Sequence, residues 1–96
     1  MNVNIYQRFN LDERELIKLI DEDEGFNNSP ESYLKQTLVE MGYEVLTSNE
    51  SFAGVPKSVI LGANLEKDVK GDFYKVANLL RFPFVSGEFY TPARLI

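Results

Sequence analysis

The 96-residue chain has no cysteine, no histidine and no tryptophan. Without cysteine there is no disulfide, thiolate zinc site, haem crosslink or thiol nucleophile. Without histidine the chain lacks the commonest general base and the commonest transition-metal ligand. Positive charge is scarce as well: ten Lys and Arg stand against fifteen Asp and Glu, a formal net charge of −5. No apolar run approaches the roughly 20 residues of a membrane span. Met1-Asn2-Val3-Asn4 carries neither the basic nor the apolar part of a secretory signal. These absences suggest a cytoplasmic chain without a cofactor, a metal or a membrane segment.

What remains is ordinary globular material. The apolar fraction is 44% and the charged fraction 26%, so composition does not enforce disorder. Seven Phe and five Tyr supply bulky core side chains. The length allows one domain, spanning residues 1–96, and a core of marginal size.

Val3 and Ile5 alternate with Asn2 and Asn4, and Tyr6 follows, a short strand pattern. Asn10 then caps a helix over about Leu11–Ile20, with Leu16, Leu19 and Ile20 as its apolar stripe. Asp21-Glu22-Asp23-Glu24-Gly25 ends it. Ser29-Pro30-Glu31 is the clearest start signal in the chain: an N-cap, a first-turn proline and an acid at the positive end of the helix. Tyr33, Leu34, Leu38 and Met41 supply the stripe, and Gly42 stops the helix. Tyr43, Val45 and Thr47 read as a strand. Ser48 to Lys57 reads as a loop, although Phe52-Ala53-Gly54-Val55 is apolar for one. Ser58–Leu61 reads as a buried strand, and Asn64 as the cap of a third helix over about Leu65–Leu80. Phe82–Val85 and Glu88–Tyr90 flank Ser86-Gly87 as a candidate hairpin, with a single strand over Phe82–Tyr90 as the other reading. The expected fold is α+β: three helices on one face of a four- to five-stranded antiparallel or mixed sheet, in a split-βαβ arrangement.

Charge is distributed unevenly. Residues 1–48 hold ten acids and four bases, net −6; residues 49–96 hold five acids and six bases, net +1. Seven of the ten early acids fall between Asp12 and Glu24: Asp12, Glu13, Glu15, Asp21, Glu22, Asp23 and Glu24. Such a field attracts cationic surfaces and speeds encounter with them. It suits a protein partner with a basic surface and, at its extreme, imitation of a nucleic-acid backbone. A charged run of this kind also serves solubility alone. Phe52, Phe82 and Phe84 sit in apolar segments outside the expected core, which makes them candidate anchors for the same partner.

The second half offers a different surface. Lys67, Lys70, Tyr74, Lys75 and Arg81 combine basic and aromatic groups that could track a single nucleic-acid strand. A net charge of −5 and a pI near 4.6 oppose it. The two oppositely charged halves could equally support self-association.

Other chemistry fares worse. An EF-hand aligned on Gly25 puts Ile20, which has no ligand oxygen, at the first loop position. Gly62-Ala63-Asn64, a candidate phosphate turn, lacks the repeated glycines of nucleotide loops. No nucleophile–base arrangement stands out. The sequence therefore favours a non-enzymatic acidic module that occludes or bridges a protein partner, such as a small inhibitor encoded by a phage or mobile element. A nucleic-acid-binding domain using the third helix is the alternative.

Overall fold

Gln7, Phe9 and Leu11 alternate with Tyr6, Arg8 and Asn10, and the two sets end in different surroundings. In the computed structural model, which describes residues 5–22, 31–64 and 66–90, they form β1 (Ile5–Leu11). Gln7 and Phe9 are buried, while Asn10 is exposed. Helix α1 (Glu13–Glu22) follows, then α2 (Glu31–Glu40) and β2 (Glu44–Thr47). A two-stranded ribbon, β3 (Ser51–Phe52) and β4 (Val55–Pro56), precedes β5 (Ser58–Ala63), α3 (Val69–Leu79) and β6 (Phe84–Tyr90).

The main sheet has the order β2-β5-β1-β6, and every neighbouring pair is antiparallel. The crossover from β1 to β2 steps over β5, and that from β5 to β6 steps over β1. The two helical passes therefore interleave. The α+β class and the four-stranded antiparallel sheet agree with the sequence reading, while the separate two-stranded ribbon, where a loop is expected, does not.

One side of the sheet faces the helices. Phe9, Val45, Val59, Leu61, Ala63 and Phe84 join Leu16 of α1, Leu34 and Leu38 of α2, and Val69, Phe73, Val76 and Ala77 of α3 in a single buried cluster. Phe9 stacks on Phe73 with ring centroids 4.0 Å apart, and Phe84 meets Phe73 edge-on at 5.3 Å. Burying a large apolar side chain contributes about 1.5–3 kcal/mol, so this aromatic stack helps tie α3 to the sheet.

Several boundaries move. β1 runs through Leu11, because a central strand gains backbone partners on both sides that local propensity does not register. The cap of α1 is therefore Asp12, not Asn10: its Oδ1 accepts from the Glu15 amide at 3.2 Å. Asp68, not Asn64, caps α3 and accepts from the Gly71 amide at 3.1 Å. Asn64 instead closes a turn, accepting from the Glu66 amide at 3.0 Å. Gly62 and Ala63 lie within β5, so they form no phosphate turn. Phe84–Tyr90 is one strand rather than a hairpin, and a register shift opposite Arg8 absorbs Gly87. A Cβ on Gly87 would lie 2.7 Å from Asn10 Nδ2, so glycine fits that bulge. The apolar 52–55 loop is the β3–β4 hairpin, turned by Ala53 (φ 53°) and Gly54 (φ 79°). Positive φ at both central residues is the geometry that suits tightly twisted two-residue turns. Val55 and Pro56 are fully buried, which accounts for the segment's apolar composition.

Candidate functional site

Helix α1 carries the densest acidic segment on its solvent side. Its inward positions are Leu16, fully buried, and Leu19, half-buried. Glu13, Glu15, Asp21 and Glu22 are exposed. Two of these acids have partners within the chain: Glu13 pairs with Lys57 at 3.4 Å and Glu15 with Lys18 at 3.5 Å. Asp12 is occupied as the helix cap. Asp21 and Glu22 form no ion pair among the described residues, and Asp23 and Glu24 lie outside those residues, as does the calcium loop tested around Gly25. The acidic cluster thus divides into a partnered first turn and an unpaired last turn.

That last turn is the negative end of the helix macrodipole. Carboxylates there are disfavoured by about 0.3–1 kcal/mol each at low salt. Beside them, Ile17 is 44% exposed and Ile20 41% exposed. The sequence reading assigned Ile20 to the core stripe and gave Ile17 no role. The available signal was width: Leu16, Ile17, Leu19 and Ile20 span a broader arc than one buried stripe needs.

The aromatic anchors are corrected by burial. Phe82 is 2% exposed and Phe84 6%, and their rings meet edge-on at 6.4 Å. They do alternate around Pro83 onto one side, but that side is the core. Phe52 is half-buried and packs against the same cluster. None of the three offers a surface knob.

Two members of the basic set have partners within the chain. Lys67 donates to the Met41 carbonyl at 2.8 Å and lies 5.2 Å from the centre of the Tyr43 ring. Tyr74 is half-buried, edge-on to Phe9 at 5.7 Å. Lys70, Lys75 and Arg81 are exposed. Arg81 holds a left-handed φ of 63° just past the end of α3. Lys67 is turned towards the end of α2 and the start of β2.

Two tyrosines have perturbed hydroxyls. Tyr43, 2% exposed, donates to Asp72 Oδ2. Burial pushes its pKa well above the usual tyrosine value, with the Asp72 hydrogen bond and the charges of Asp72 and Asp68 adding to the effect. Tyr6 donates to Glu44 Oε2 at 2.8 Å, and that bond is the main reason its pKa is raised, followed by desolvation. Both shifts favour the neutral phenol and make it a weaker acid. Among the described residues no group of three acidic side chains is placed to hold a metal, and no helix is long and apolar enough to cross a membrane.

No family model, curated protein or solved structure matches the chain.

Proposed function

We propose that this chain is a non-enzymatic interaction module that uses α1 to engage a basic surface on a protein partner, occluding or bridging it. The observation that carries the reading is the last turn of α1. Asp21 and Glu22, without an ion pair among the described residues, sit at the helix end that disfavours them, next to half-exposed Ile17 and Ile20. Charge placed against the helix's own stability, alongside apolar surface, is what electrostatic steering followed by apolar docking requires. The partner's complementary features would be Lys or Arg around an apolar recess.

The nucleic-acid alternative draws less support, because its Lys67 ammonium donates to the Met41 carbonyl and its Tyr74 ring packs against Phe9.

The test is capture from lysate by the immobilised chain at about 50 and 300 mM salt, alongside an Ile17→Ser/Ile20→Ser variant. The partner should be retained at low salt, weakened at high salt and lost with the variant. Capture indifferent to both changes would remove α1 as the docking element.

A further inference from the structure

A cavity of about 240 Å³ opens to solvent between the last turns of α1 and α3, lined by Leu19, Asn78, Arg81, Phe82 and Pro83. Leu19 and Pro83 are half-buried and Phe82 is buried, so the lining is largely apolar; Asn78 and Arg81 are exposed and complete it. The volume lies below the roughly 300–1,000 Å³ of drug-sized sites. It suits a single large side chain of a protein partner, the kind of anchor that dominates interfaces. Arg81 stands where α2 has Gly42: both hold a positive φ just past a helix end. Glycine takes that conformation without strain, and a residue with a Cβ does not. A long side chain kept there, on a cavity wall, marks the wall as a place of contact. Leu19 also joins the cavity to the acidic turn. Glu22 lies three residues on, the spacing that makes helical side chains neighbours. Neither Glu22 nor Asp21 forms an ion pair among the described residues.

We propose that this cavity receives one aromatic side chain of a protein partner, from a segment in which a Lys or Arg adjoins the aromatic residue. The inference rests on the reading of α1 as the docking element and adds what the partner inserts beside it. The ring packs on Leu19 and Pro83 beneath the Arg81 guanidinium, a planar cation that stacks on aromatic faces. An aliphatic side chain would fill the space without that contact. A tyrosine hydroxyl or tryptophan N–H would find the Asn78 amide within the same recess. The adjoining cation meets Asp21 and Glu22 on the α1 side of the ring, which keeps it apart from Arg81. Opposite charges placed in this way fix the register of the segment.

The experiment is an NMR titration of the whole chain at about 20 mM salt, following backbone amides. The probes are the capped peptides GKWKG, GKAKG and GEWEG. GKWKG should give saturable shifts at Leu19, Asn78 and Arg81. GKAKG, without the ring, and GEWEG, with the flanking charge reversed, should each bind at least about tenfold more weakly. Arg81→Gly should weaken GKWKG about fivefold or more while holding the urea midpoint, since glycine suits that backbone. Asp21→Asn with Glu22→Gln should weaken it about threefold or more and flatten its salt dependence. The proposal falls if GKWKG does not saturate by about 5 mM, if GKAKG matches it, or if either variant binds it like the parent. Failure of the recess alone has its own signature. A lysate partner lost with Ile17→Ser/Ile20→Ser but retained by Arg81→Gly would remove the recess and leave α1 as the docking element.

Discussion

Gly42 and Arg81 occupy the same place at two helix ends. After α2, the Gly42 amide donates to Val39 and that of Tyr43 to Leu38; after α3, the Arg81 amide donates to Asn78 and that of Phe82 to Ala77. Both residues hold a positive φ, 95° and 63°, as this termination motif requires. Glycine does so without strain, whereas arginine pays a cost of order 1 kcal/mol. Ala53 carries a similar cost in the β3–β4 turn. Ala53→Asn should raise stability by about 0.5–1 kcal/mol, read as a higher urea midpoint with unchanged slope. Gly71 should behave in the opposite way to a usual helical glycine. Its added Cβ would lie 2.2 Å from Asp68 Oδ2. Gly71→Ala should therefore destabilise by about 1 kcal/mol through loss of the cap, where helix propensity alone would give a gain. Tyr43 gives a pH dependence. Its pKa is raised in the folded state, so its contribution is fully present below the ordinary tyrosine value of about 10 and is lost as pH rises beyond it. Denaturant midpoints should fall above that pH, and Tyr43→Phe should flatten the fall.

At the scale of elements, legibility followed chemistry that is local. The α2–β2 unit could be read because Gly42, the Leu34–Leu38 stripe and the Val45 alternation each act within a few residues. Its start signal, Ser29-Pro30, lies outside the described residues. The β1–α1 boundary was not legible. Leu11 reads as the first turn of a helix until β5 and β6 claim its backbone neighbours. For β6 the sequence leaves one strand and a hairpin both open, for a related reason: Ser86-Gly87 is a turn signal, but pairing with β1 converts it to a bulge. Of the candidate site, the acids of α1 were visible and their division was not, since the Glu13–Lys57 pair joins residues far apart in sequence. Nothing in sequence marked Gln7 as buried. The same element supports a stability test. Asp21→Asn with Glu22→Gln removes two carboxylates from the negative end of α1, and should raise stability by about 0.5–1 kcal/mol at low salt, fading as salt is added.

For the whole molecule, the net −6 of the first 48 residues is offset from the second half by Lys57, which pairs with Glu13, while Asp21 and Glu22 at the end of α1 form no ion pair among the described residues. The proposed function rests on that remainder being kept for association at the expense of stability. The most direct measurement uses one variant and two readouts. Asp21→Lys/Glu22→Lys is compared with the parent for urea midpoint and for capture of the same lysate protein at about 50 mM salt. A higher midpoint together with lost capture is the expected result. Undiminished capture by the charge-reversed chain would contradict the account.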